Sequence, residues 1–148
     1  MCAFFSAPVF TEARLQNVTY YMRLDTDSLI KEPLCYDPFE VMHTRKRSYG
    51  YRTYSNDADA ALVGMRTLLH NYALEHPEVA RRMRKNEWVW PHENAEGEMI
   101  MPPLKGYNNN FEIVKLQAFR RPDVQEWLDE LVSVPERWYK WRWGMSPR

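Results

Sequence analysis

Two aspartates one residue apart, Asp25-Thr26-Asp27, are the first residues of the chain whose types and spacing can do chemistry. Mg2+ and Mn2+ take oxygen ligands, commonly one or two protein carboxylates completed by substrate phosphates and water. A carboxylate pair at i and i+2, just past the end of a strand, suits that role. One acid binds the cation, the other holds a ribose or a water, and the cation stabilises a diphosphate as a leaving group. The spacing recurs at Asp57-Ala58-Asp59, where an expected helix start explains it, since acids there favour the helix dipole. The residues alone therefore leave two readings of Asp25 and Asp27 open, a cation site or an acidic turn. A third acid, Glu112, stands between Phe111 and Ile113. In a strand it reads as a partnered acid turned away from its two apolar neighbours, toward solvent.

The elements that must position these acids are legible in outline. "VTYYMRL" (18–24) is β-prone and ends on the acidic pair. "EPLCYDPFEVM" (32–42) opens with a proline-broken turn and places Pro38 in a first helical turn. "SYGYRTYS" (48–55) reads as a strand. A helix follows, capped by Asn56 or Asp57, with Leu62, Met65, Leu69 and Tyr72 on one face. It stops near His76, because Pro77 disfavours helix in the residue before it, and a second short helix spans 77–86. Residues 88–110 read as a long surface loop around short strands, and 111–119 as a strand or an irregular buried segment. Residues 121–134 form a helix with Val124, Trp127, Leu128 and Leu131 on one face. Strands and helices mix without strict βαβ alternation, so α/β and α+β both remain open on pattern.

A length of 148 residues allows one domain with a real core. Equal counts of 20 basic and 20 acidic residues argue against nucleic-acid binding, which favours a basic excess. The one basic run, "HTRKRS" (43–48), reads as a solvated loop before a strand. No apolar stretch approaches the ~20 residues of a membrane span, and "MCAFFSAPVF" lacks the basic start of a signal peptide. Cys2 and Cys35 form no CxxC pair, which excludes a zinc ribbon. "NVT" (17–19) is a glycosylation sequon and hints at a secretory setting. Six tryptophans and nine tyrosines are many for this length; such rings fill cores and also suit the C–H faces of sugars.

Several segments, in order, resemble the fungal Golgi α-1,2-mannosyltransferases of glycosyltransferase family 15. "MCAFFSAPVF" resembles that family's M-C-R-F-F-S-G, and "YYMRLDTD" its Y-Y-W-R-V-E-P-D. "YDPFEVM" and "SYGY" resemble Y-D-P-F-x-x-M and T-Y-G-F; "NNFEI" resembles S-N-F-E-I, and "RWGMSP" resembles R-W-G-D-A-P. The resemblance covers nearly the whole chain. It implies an α/β chain, the C-terminal part of a GT-A-like fold with a mixed sheet and flanking helices. Residues 1–148 would be a single partial glycosyltransferase domain, with the nucleotide-binding N-terminal half lying before the matched region. It implies transfer of mannose from GDP-mannose to a mannoside acceptor, with Mn2+ and retention of configuration, in the Golgi. By position it makes Asp25 and Asp27 metal ligands, with Asp27 also on the nucleotide side, and places Glu112 beside the reacting sugar. Tyr107 and Asn108 would border the donor site, and Arg142 and Trp143, in R-W-G, would line the acceptor side. The chain departs from the family at Met145, where an aspartate is expected. It ends at Arg148, where a metal-binding histidine is expected, and shortens Y-N-x-C-H-F-W-S-N-F-E-I to "YNNNFEI". These departures leave a second reading, a non-catalytic remnant that binds carbohydrate or a partner through its aromatic tail.

Overall fold

The computed structural model describes residues 2–56, 62–83, 92–100, 104–107 and 110–139. The chain divides into two compact units, one of residues 1–54 and 107–145 and one of 55–106 and 146–148.

The first unit is built on a three-stranded sheet. Strands β1 (Tyr20–Leu24) and β2 (Tyr49–Tyr51) flank the central β7 (Phe111–Lys115), and both pair with it antiparallel. The central strand is buried on both faces: Glu112, Ile113 and Val114 are all nearly inaccessible. One face carries Tyr21, Arg23, Glu112, Val114, Tyr49 and Tyr51, which the register sets side by side. Against it pack the helices α1 (Cys2–Ser6), α2 (Pro8–Thr11), α6 (Leu116–Phe119) and α7 (Pro122–Val132). Their shared core is Ala7, Val9, Phe10, Val114, Leu116 and Leu128, ringed by Tyr21, Tyr49, Phe119, Val124 and Trp127. Val114 and Leu116 are wholly buried, each a contribution of about 2 kcal/mol from area alone. The other face meets α3 (Pro38–Thr44) through Met42. Gly50 permits this approach, since a Cβ there would lie 3.1 Å from the Met42 sulfur.

Local chemistry explains the ends of these elements. Asp37 caps α3, its Oδ1 accepting from the N–H groups of Phe39 (2.8 Å) and Glu40 (3.4 Å), with Pro38 in the first turn. At the other end Lys46 adopts φ 51°, and the Arg47 N–H donates to the Met42 carbonyl at 2.9 Å. This is the closing turn that glycine usually makes. Arg120 ties the sheet's exit to the N-terminal helices. Its guanidinium donates to the carbonyls of Phe10 (2.7 Å), Leu15 (2.8 Å) and Gln16 (3.2 Å), and Leu15 closes the 3-10 turn Ala13–Leu15.

The second unit holds α4 (Met65–Glu75), α5 (Pro77–Met83) and the hairpin of β4 (His92–Glu93) with β5 (Met99–Ile100). The short strands β3 (Tyr54–Asn56) and β6 (Lys105–Tyr107) pair with one another. Among the described residues no helix is long and apolar enough to cross a membrane.

Two expectations are corrected. Asn56 does not cap α4: it lies in β3, and α4 starts nine residues later, after Gly64 at φ 78°. Residues 48–55 are not one strand, because a bend at 52–53 separates β2 from β3. The three-stranded sheet is antiparallel throughout. The expected stop at Pro77 is found, with α4 ending at Glu75 and α5 opening on the proline. Residues 111–119 resolve into β7 and then α6.

Candidate functional site: a buried carboxylate beside an acidic turn

Glu112 is 5% exposed, the one buried charged side chain among the described residues. Of the reading that made it a partnered acid turned to solvent, the partners are found and the solvent is not, and the reason lies in the register. Tyr21 on β1 and Tyr49 on β2 both stand opposite Val114, two residues along β7 from Glu112. Side chains at that diagonal are within reach of a long aromatic residue. The Tyr21 hydroxyl donates to Glu112 Oε1 at 2.9 Å and the Tyr49 hydroxyl to Oε2 at 2.6 Å. Burial first, and then the Glu112 carboxylate itself, push both phenols far above the usual tyrosine range. Both hydroxyls therefore stay protonated and donating at any physiological pH. Each carboxylate oxygen spends one acceptor site on a phenol and retains capacity for another partner.

The acidic pair follows β1 directly. Its backbone forms a turn in which the Ser28 N–H donates to the Asp25 carbonyl (2.9 Å), and the Asp25 N–H donates to the carbonyl of Asn110, just before β7 (3.0 Å). The acidic turn is thus pinned to the start of the strand that carries Glu112. Asp25 lies two residues beyond Arg23, the direct cross-strand partner of Glu112, about 7 Å along the strand. Arg23 donates to Asp25 Oδ1 from Nε (3.1 Å) and from its terminal nitrogen (2.9 Å). Its guanidinium also lies 4.3 Å over the Phe5 ring. Both contacts fall on Oδ1, which leaves Oδ2 for a further ligand. Asp27 is exposed on the same turn.

A hard divalent cation requires oxygen ligands. Two carboxylates on one turn match the one or two that Mg2+ or Mn2+ takes from protein when phosphates and water supply the rest. Among the described residues no group of three or more His, Cys, Asp or Glu could hold a metal alone. Asp25 and Asp27 supply two carboxylate donors on one turn, short of a site made by protein alone.

Tyr107 ends β6, half exposed, with its ring 4.2 Å from that of Tyr51 and 5.3 Å from that of Tyr49. Glu112, Asp25 and Tyr107 thus all belong to the first unit, with Arg23 and Tyr49 as the links. Asn108, Arg142 and Trp143 lie outside the described residues, as does Asp57-Ala58-Asp59. Tyr21, Tyr49 and Arg23 are the site residues that reading the sequence missed. Their signal was present in "YYMRL" and "SYGY", but their role depends on a register that no single segment states.

A family described as glycolipid 2-alpha-mannosyltransferase matches residues 1–147. The chain belongs to this family. It is 23% identical to the "O-glycoside alpha-1,2-mannosyltransferase homolog 5" of Schizosaccharomyces pombe, over 99% of this chain and 40% of that protein. With the "Alpha-1,2 mannosyltransferase KTR1" of Saccharomyces cerevisiae it shares 22% identity over 99% of this chain and 36% of the relative. The chain thus spans well under half the length of the relatives it matches. Its fold is similar to the crystal structure of core-mannan synthase A from Aspergillus fumigatus in its Mn/GDP form. The TM-score is 0.74 at 20% identity, covering 97% of this chain and 39% of that one. The S. cerevisiae mannosyltransferase Ktr4p in complex with GDP gives the same TM-score at 22% identity, covering 97% and 37%. The expected fold, an α/β part of a GT-A-like glycosyltransferase, is the one found.

Proposed function

We propose that the chain carries the reacting-sugar side of a retaining, metal-dependent α-1,2-mannosyltransferase that takes mannose from GDP-mannose to a mannoside, in a Golgi setting. The observation that carries this reading is the Glu112 carboxylate, buried and held at both oxygens by tyrosine hydroxyls beside an acidic turn, in a chain of this family. In transfer, the bond from the mannosyl anomeric carbon to the diphosphate breaks and its electron pair leaves with GDP. An acceptor hydroxyl oxygen forms the new bond, and its proton passes to the departing GDP. The anomeric carbon becomes positive on the way. A carboxylate already oriented and already desolvated stabilises that charge without reorganising, which is where electrostatic catalysis gains most. Tyr21 and Tyr49 hold the carboxylate in place. Asp25 and Asp27 would hold Mn2+, which supplies neutralisation of the diphosphate charge when bound. The similar structure of core-mannan synthase A in its Mn/GDP form, and that of Ktr4p with GDP, support that assignment.

Thermal unfolding of the chain with and without Mn2+ plus GDP tests the donor side. A ligand that binds the folded state at a hundred times its Kd stabilises by about 2.7 kcal/mol. The expected result is an upward shift that Asp25→Ala abolishes. A cooperative melt with no shift, or a shift that Asp25→Ala leaves intact, would remove the metal assignment.

A further inference from the structure

We infer that Tyr51 and Tyr107 form a stacking platform for the pyranose ring of the acceptor, a subsite next to Glu112. The inference rests on the reading of Glu112 above and adds where the second sugar lies. An aromatic series runs outward from the core. Phe10 stacks on Phe119 with centroids 4.6 Å apart, Phe119 lies 6.0 Å from Tyr49, Tyr49 5.3 Å from Tyr107, and Tyr107 4.2 Å from Tyr51. The inner rings fill the core. The last two break that rule: Tyr51 is 40% exposed and Tyr107 51%. Tyr107 packs against both Tyr49 and Tyr51, so its exposed area belongs to a braced ring rather than a loose side chain. Large rings held rigidly with one side wet cost little entropy to bind against and are typical of recognition surfaces.

Position selects the occupant. Tyr51 is the direct cross-strand partner of Glu112, on the strand opposite Arg23. A ring stacked there lies beside the carboxylate that faces the anomeric carbon. A nucleobase is ruled out at that spot by covalent structure, because a ribose and a diphosphate separate it from the anomeric carbon. The acidic turn, the phosphate side of the site, flanks Glu112 along β1, whereas the platform flanks it across β2. The sugar on the platform is therefore the acceptor, with its apolar C–H face on Tyr107 and its hydroxyls toward the polar row of the sheet. Tyr107, first placed with the donor, is reassigned to the acceptor.

Saturation-transfer NMR with methyl α-D-mannopyranoside, in the absence of nucleotide and metal, tests this on the intact chain. Saturation should reach the sugar's ring C–H protons. Tyr107→Ala and Tyr51→Ala should each weaken binding about three- to tenfold, the range that an aromatic contact spans, whereas Tyr107→Phe should bind as the parent does. Both positions are half exposed, so the alanine variants should retain a cooperative melt within ~3 °C of the parent. No transfer of saturation to the sugar by the folded chain, or an equal signal in both alanine variants, would overturn the platform. Loss of mannosyl transfer with the sugar signal intact would overturn the proposed reaction and leave the platform standing.

Discussion

Replacing Tyr49 with phenylalanine isolates the hydroxyl that holds Glu112. The ring remains, and with it the packing on Phe119 and Tyr107. What is lost is one hydrogen bond to a charged oxygen at 2.6 Å. Bonds to charged groups contribute ~1.5–3 kcal/mol each, and at a carboxylate only 5% exposed the vacated oxygen has poor access to replacement water. Tyr49→Phe should therefore cost about 2 kcal/mol. Tyr21→Phe, whose bond is longer at 2.9 Å, should cost ~1.5 kcal/mol. The two bonds end on one carboxylate, so their losses are coupled. The double variant should cost more than the ~3.5 kcal/mol sum, because no phenol then offsets a buried charge. Urea unfolding of the chain reads these values directly, and in thermal melts Tyr49→Phe should lower the midpoint by about 4–8 °C. A Tyr49→Phe variant within ~0.5 kcal/mol of the parent, the range of an ordinary surface change, would refute the claim that the phenols hold a buried charge.

Other consequences follow from the same geometry. Arg120→Ala removes three carbonyl contacts that join the end of α6 to the N-terminal helices. It should lower urea stability by about 3 kcal/mol, with Arg120→Lys recovering only part. Both clamp tyrosines have raised pKa values. Their contribution is therefore complete below the unfolded-state tyrosine pKa of about 10 and is lost as pH rises above it. Stability should fall there by at most ~1.4 kcal/mol per pH unit per tyrosine, less for solvent screening of these partly exposed rings, as read by urea unfolding across alkaline pH. Lys46→Gly relieves a left-handed backbone at φ 51° and should stabilise by up to about 1 kcal/mol, measured by the shift in the urea midpoint. Arg23→Ala removes a competitor from Asp25 Oδ1. Mn2+ should then bind as tightly as in the parent or tighter by calorimetry; weaker binding would mean that Arg23 orients Asp25 for the cation.

The parts of this fold that sequence made legible are those governed by local chemistry. Pro38 and Pro77 begin helices because their missing N–H groups are tolerated only there. Of the expected α7 face, Val124, Trp127 and Leu128 pack into the core, where Val132 rather than Leu131 joins them. The start of α4 was misread because a good capping residue, Asn56, was spent in a strand, and a left-handed glycine took its place. The candidate site divides the same way. Asp25 and Asp27 were recognisable as an acidic turn after a strand, and Glu112 by its flanking residues. What made Glu112 distinctive was invisible: its burial, and its two phenols from segments 91 and 63 residues away in sequence. Such contacts depend on strand register, and register is settled by the whole sheet. The ion pair of Arg23 with Asp25 joins the end of β1 to the turn that follows it, a contact set by side-chain geometry that no pattern of residue types states.

The most direct test of the account is to incubate the chain with GDP-mannose, Mn2+ and methyl α-D-mannopyranoside, beside Glu112→Gln. Product is read by mass spectrometry and linkage analysis. The account predicts an α-1,2-linked dimannoside from the parent and a loss of ~100-fold or more in the variant, since glutamine keeps the shape and removes the charge. Equal turnover by Glu112→Gln, or no dimannoside from the folded parent chain, would contradict it.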